Sequence, residues 1–259
     1  MKHSSDEFRS IAERGTILRC QVGSGVHGTA IEGTDDRDEM GICIELPEYV
    51  IGLRRFEQYM YRTQPEGHRS GPGDLDLTIY SLRKWMRLAL NGNPTVLLPL
   101  FVPPDEIVSV TPLGEELREL APVIVSRQAG HRFAGYLDAQ RKGMLSRDGK
   151  GRDVTRPELI EAYGFDTKFA GHMVRLGVQG VELLRTGRMS LPVPQPWRAS
   201  IRRLRTGGYS MQWALDVAAG LAEEIRDLIA TSPLREHPGR EAADAWLIRA
   251  YQRAWSDAL

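Results

Sequence analysis

Residues 23–46, GSGVHGTAIEGTDDRDEMGICIEL, decide how the first half of this chain is read. The segment opens with Gly23, Gly25 and Gly28 in the spacing G-x-G-x-x-G, directly after an apolar run at residues 16–22 (TILRCQV) that reads as a strand. In a dinucleotide-binding fold this pattern is followed by a helix whose N-terminus faces the pyrophosphate, and then by a second strand ending in a ribose-binding acid. Here only TAIEG stands between the last glycine and the next turn, too short for that helix. The acids arrive before the second strand instead of after it. A phosphate loop carrying G-K-[ST] is missing as well. The glycines therefore read as a turn, and the weight of the segment moves to its acids.

Asp35, Asp36, Asp38 and Glu39 lead into a second apolar run at residues 41–46 (GICIEL). In extended backbone alternate residues share one side, so Asp36 and Asp38, a D-x-D pair, present both carboxylates to one face. Such a pair, with a third acid nearby, suits one or two Mg²⁺ or Mn²⁺ ions that also touch substrate phosphates. An acidic surface turn has the same spacing. A third strand is expected at residues 74–80 (DLDLTIY), neighbouring the run at 41–46, because apolar and polar residues alternate there. Between them the Gly- and Pro-rich residues 62–73 form a loop, and residues 81–91 (SLRKWMRLALN) form a helix stopped by Gly92, Asn93 and Pro94.

From about residue 126 the period is helical, with helices expected at 126–145, 156–186 (room for one break), 197–206, 209–231 and 240–257. Strands first and helices afterwards imply an α+β unit, 1–125, followed by an all-α unit, 126–259. The net charge of zero hides an asymmetry. Residues 1–125 carry 13 Lys and Arg against 19 Asp and Glu, net −6, whereas residues 126–259 carry 21 against 15, net +6. An acidic half suited to cations thus adjoins a basic half suited to phosphates. No apolar run is long enough to span a bilayer, and the N-terminus MKHSSDEFRSIAERG lacks a secretory apolar stretch. Cys20 and Cys43 sit in strand-like runs and are expected as buried thiols, which fits a cytoplasmic protein.

Two groups of basic residues stand out in the second half. Lys168, His172 and Arg175 fall at i, i+4 and i+7, hence on one face of a helix, and could grip a triphosphate. A solvated face has the same spacing, and His172 equally suits a partly buried histidine bonded to a carbonyl. Arg198, Arg202, Arg203 and Arg205 form a second cluster where a nucleic acid could bind; it lacks the interleaved aromatics of a base-stacking platform apart from Trp197 and Tyr209 at its ends, and a solvated face reads the same way.

Taken together, Gly23, Ser24, Gly28, Thr29, Ala30, Thr34, Asp36, Asp38 and Gly41 resemble the signature of the DNA-polymerase-β-like nucleotidyltransferases. The resemblance is to a bacterial and phage group of predicted nucleotidyltransferases that includes the RNA-ligase-associated type. It extends through YSLRK at 80–84, Asn93-Pro94, YGFDTKFAGHMVR at 163–175, Leu183-Leu184 and LRTG at 204–207. The acidic cluster carries one residue more than the usual spacing, and the Glu expected soon after Asn93-Pro94 is replaced by Leu97, Leu98 and Pro99. The resemblance implies a polymerase-β-type mixed sheet with flanking helices. It also implies metal-dependent transfer of a nucleoside monophosphate from a triphosphate to an acceptor, with release of pyrophosphate. Asp36 and Asp38 would be metal-binding and catalytic residues. A third carboxylate on an adjacent strand is expected at Asp76, with Asp74 as its rival. Gly23 and Ser24 would meet the triphosphate with backbone N–H groups and the Ser24 hydroxyl, helped by Lys168, His172 and Arg175. RNA and DNA are both open as acceptors, beside protein and small molecules. A nucleotide-sensing or toxin-neutralising module without turnover is the alternative on the same fold.

Overall fold

The computed structural model describes residues 3–33, 35–65, 67–145 and 156–256. Helix α1 (Asp6–Gly15) is capped by the Ser5 hydroxyl, which accepts the Phe8 amide, and carries acids in its first turn. Next come β1 (Thr16–Gln21), the Gly-rich turn, β2 (Arg37–Cys43), α2 (Pro47–Val50), β3 (Gln58–Arg62), β4 (Leu75–Ser81) and α3 (Leu82–Leu90). After β5 (Ile107–Val110) the chain is helical: α4 (Pro112–Glu119), α5 (Ala121–Ile124), α6 (Gln128–Leu145), α7 (Pro157–Tyr163), α8 (Thr167–Thr186), α9 (Trp197–Arg205), α10 (Met211–Thr231) and α11 (Arg240–Ser256).

The strands form one sheet in the order β3-β4-β2-β1-β5. β2 and β4 run parallel and every other pair is antiparallel, so the sheet is mixed and the fold α+β. The antiparallel pairing of β1 with β2, with no helix between them, excludes the crossover that the glycine fingerprint would have required. β2 begins at Arg37, earlier than the apolar run suggested, because this central strand has a partner on both sides. The polar start is accommodated chemically. Glu39 is buried but accepts from Arg19 and Arg37, so its charge is paired. The edge strands β3 and β5 escape sequence reading: they are short, and β5 is largely exposed.

Helices cover both faces of the sheet. On one, Ala12 of α1 packs with Cys43, Phe56, Tyr59, Leu77 and Ile79. On the other, Leu18, Cys20, Met40 and Ile42 meet Leu82, Trp85 and Met86 of α3, and this core continues without a gap into the helical half. α8 is the axis of that half, packed by α6, α10 and α9, with buried residues around most of its circumference. The expected helix over 156–186 is broken where Gly164 takes a left-handed conformation (φ 82°) after α7. Asp166 then restarts it by accepting the Lys168 and Phe169 amides. α11 returns to the first half, where Tyr251 donates to buried Glu45 and the Trp255 indole donates to the Glu45 carbonyl. Both cysteines are free and buried. No helix among the described residues is long and apolar enough to cross a membrane.

Candidate active site

The β2–β4 register sets the site. Parallel pairing places Asp38 opposite Asp76, and Asp36 lies just before β2. One carboxylate oxygen from each of Asp36, Asp38 and Asp76 falls within 4.8 Å of the others. Asp38 bears the cost of this crowding. Burial first, then the charges of Asp36 and Asp76, push its carboxyl up to about 6. Asp74 does not join them: it accepts from the Thr63 hydroxyl (2.9 Å) and the Gly71 amide (2.9 Å), which shapes the loop ahead of β4. Of the two acids open at this position, the structure brings Asp76 to the cluster.

Gly23 abuts the cluster, and only glycine fits there. A Cβ at this position would lie 2.1 Å from an Asp38 carboxylate oxygen. Ser24 follows, its carbonyl accepting the Thr29 amide at 3.0 Å. The turn is anchored by His27, which is buried. Arg175 donates to His27 Nε2 (2.9 Å) and to Gln179 Oε1 (2.9 Å), and the Gln179 amide lies 3.2 Å from His27 Nδ1. Arg175 therefore holds the Gly-rich turn against α8 and does not line the cleft with Lys168. Thr34 lies outside the described residues.

A cleft runs between the acidic cluster and the helical half, lined by Asp36 and Asp76 on one wall and by Lys168, His172 and Arg156 on the other. Lys168 shares this cleft with Asp35, Asp36 and Asp76. Lys168 Nζ lies 3.5 Å from Asp35. His172 is not a third cation beside it. Burial, followed by the fields of Arg175, Lys168, Arg205 and Arg156, holds its imidazole well below the usual range, so the ring is neutral at pH 7.

Asp35 has a role of its own. It receives a 2.8 Å ion pair from Arg205 and a 2.7 Å hydrogen bond from the Ile31 amide. Arg205 also donates to the Thr29 carbonyl. Both side chains are only 6% exposed, so Arg205 is a buried strut between α9 and the acidic loop, separate from the surface arginines it neighbours in sequence. Arg62 is the other residue that sequence reasoning missed. From the end of β3 it donates to Asp76 (3.0 Å) and to the Ser70 hydroxyl (2.8 Å), while Ser70 donates to the other Asp76 oxygen (2.9 Å). The alternation of QYMYR at 58–62 was the available signal, hidden because Arg62 begins a stretch of loop composition.

No curated protein matches the chain. Among solved structures, the chain is similar to a nucleotidyltransferase-like protein from Exiguobacterium sibiricum 255-15, with 11% identity, 86% of this chain and 71% of that chain covered, and a TM-score of 0.29. The model of the RNA repair pathway DNA polymerase beta family matches residues 1–249. With nearly its whole length matched, the chain belongs to the RNA repair pathway DNA polymerase beta family.

Proposed function

We propose that this protein is a nucleotidyltransferase that moves a nucleoside monophosphate from a nucleoside triphosphate to an acceptor hydroxyl and releases pyrophosphate. The observation that carries this reading is the convergence of Asp36, Asp38 and Asp76 in a cleft whose opposite wall offers Lys168. The acids fit a hard divalent cation, Mg²⁺ or Mn²⁺. They supply oxygen donors only, their charges are crowded, and burial together with the charges of Asp36 and Asp76 drives Asp38 toward protonation, which Lys168 offsets only in part. Bound there, such an ion would neutralise charge on the transferring phosphoryl group and lower the pKa of an acceptor hydroxyl.

The chain's own residues then position the reactants. Lys168 faces the acids and meets the triphosphate, and Gly23 and Ser24 offer backbone amides beside Asp38. Neutral His172 contributes a hydrogen bond and no charge. The acceptor oxygen bonds to the α-phosphorus as the bond to the pyrophosphate oxygen breaks. The carboxylates of the cluster are the nearest bases for the hydroxyl proton. The two buried free thiols fit work in a reducing cytoplasm.

The test is transfer of label from α-³²P nucleoside triphosphates, one base at a time, to RNA and DNA oligonucleotides, with pyrophosphate release followed in parallel. Lys168→Ala is expected to weaken triphosphate binding by about tenfold or more, as for loss of one charge-assisted contact, with its circular dichroism unchanged. An unaltered nucleotide affinity would remove Lys168 from this role. Nucleotide binding with no release of pyrophosphate toward any acceptor would favour the sensing or toxin-neutralising module instead.

Arg62 supplies a check on the metal. Its guanidinium neutralises Asp76, with both side chains 29% exposed, so it competes with any cation for that carboxylate. Arg62→Ala should therefore bind Mg²⁺ several-fold more tightly by isothermal titration, the equivalent of an ion pair worth about 1 kcal/mol. Equal or weaker Mg²⁺ binding would show that Asp76 needs Arg62 to be held in place.

A further inference from the structure

We propose that the acceptor is a single-stranded polynucleotide, and that it leaves the cleft over Tyr163 and Gly207–Gly208 to lie along the exposed side of α9, with Arg202 and Arg203 taking its phosphates. The inference deepens the nucleotidyltransferase reading and rests on it for the word acceptor; the surface itself does not depend on it.

Tyr163 and Thr206 both line the cleft, so its mouth opens between the end of α7 and the end of α9. Tyr163 is 41% exposed. Its ring lies against Gly207, where an added Cβ would come within 2.2 Å of a ring carbon. A shallow depression continues from Tyr163 across Gly207 and Gly208 to Tyr209. Arg202 and Arg203 precede Thr206 by four and three residues, which puts them on the turn of α9 directly behind the cleft mouth. Both are exposed. Among the described residues neither they nor Arg198 has a carboxylate at ion-pair distance, whereas Arg205 of the same helix is fully engaged with Asp35.

Aromatic rings accompany these charges. Tyr209 stacks on Trp213 at 3.9 Å and an interplanar angle of 8°. The Arg203 guanidinium lies 4.8 Å above the Tyr209 ring, and its Nε donates to the Gly208 carbonyl. Tyr209 is thereby covered on both faces, and the ring left open to a base is the exposed Tyr163; exposed guanidinium groups without a carboxylate partner beside that ring match a chain that alternates phosphates with flat bases. An acidic protein segment would use the charges and leave the rings without purpose. A duplex would offer no free base faces.

The test is fluorescence anisotropy with 5′-labelled 12-nucleotide single strands, RNA and DNA in separate arms, and the matching duplex, in EDTA so that no turnover intervenes. Wild type should bind a single strand more tightly than the duplex, with affinity falling as salt rises. Arg202→Ala/Arg203→Ala should weaken single-strand binding at least about tenfold at low salt and flatten the salt dependence by roughly 1.4 in log–log slope, as for two lost phosphate contacts. Affinity for free ATP should stay unchanged. Tyr163→Ala should weaken the single strand and leave the duplex alone; Arg202 and Arg203 are surface residues, so the double variant carries the test if Tyr163→Ala folds poorly. The RNA and DNA arms show which sugar is preferred. No single-strand binding by wild type, or binding unchanged in the double variant, overturns the track. Equal binding of duplex and single strand overturns it too, since it marks a general polyanion surface. Single-strand binding that depends on these arginines without any transfer activity would leave the track standing and defeat the nucleotidyltransferase reading alone.

Discussion

Asp38→Asn is expected to abolish nucleotidyl transfer while making the metal-free protein more stable at pH 7. Asp38 is the most crowded member of the acidic cluster, and its carboxyl ionises near 6 where an unperturbed Asp ionises at 3.8. A raised carboxyl pKa contributes stability that is fully present below the unfolded value and lost as pH rises through the folded one. Between about pH 4 and pH 6 the folded chain holds a proton that the unfolded chain has released, so metal-free stability falls by roughly 3 kcal/mol across that window. Asn carries no charge and escapes that loss, so urea denaturation in EDTA should show the variant ahead of wild type by roughly 2–3 kcal/mol at pH 7 and level with it near pH 4. With Mg²⁺ the order changes. An ion that binds only the native cluster stabilises wild type by about 2.7 kcal/mol at a hundred times its dissociation constant, and the variant should gain little. Wild-type transfer rates in Asp38→Asn, or equal Mg²⁺ stabilisation of both proteins, would dissociate Asp38 from metal and chemistry together.

Arg205→Ala should cost about 3–5 kcal/mol in folding stability, the range for removing one partner of a buried ion pair. Burial alone would raise the Asp35 pKa; the Arg205 hydrogen bond, the Ile31 amide and the charges of Arg205 and Lys168 reverse that and hold it below the ordinary value. Without Arg205 the burial remains and its main compensation is gone, and the Thr29 carbonyl loses its donor as well. A depressed carboxyl pKa contributes stability present above the unfolded value and lost as pH falls through the folded one. The gap between wild type and Arg205→Ala should therefore be widest near neutrality and close in acid. The double variant Arg205→Ala/Asp35→Asn should recover part of the loss, because no unpaired buried charge is left. A loss below about 1 kcal/mol for Arg205→Ala, characteristic of an exposed arginine, would place this residue with its surface neighbours.

By itself the sequence determined the fold class, most helices, and the kind of residue gathered at the site. Those features are local. Apolar period separates strand from helix, a turn too short for a helix excludes the dinucleotide fold, and D-x-D on extended backbone shares a face whatever surrounds it. Tertiary structure decided what each charge does. Asp74 and Asp76 both precede the same apolar run, and only the pairing of Asp38 with Asp76 and the hydrogen bonds of the loop before β4 separate them. Lys168, His172 and Arg175 share a helix face, yet the first reaches Asp35, the second is neutral among cations, and the third turns to His27. Arg202, Arg203 and Arg205 are near neighbours in the chain, and burial of α9 on one side sends Arg205 inward and leaves the others in solvent. Side-chain partners that lie 14 to 176 residues apart leave no periodic trace, because the field at a charge is set by whatever the fold brings within a few ångströms of it.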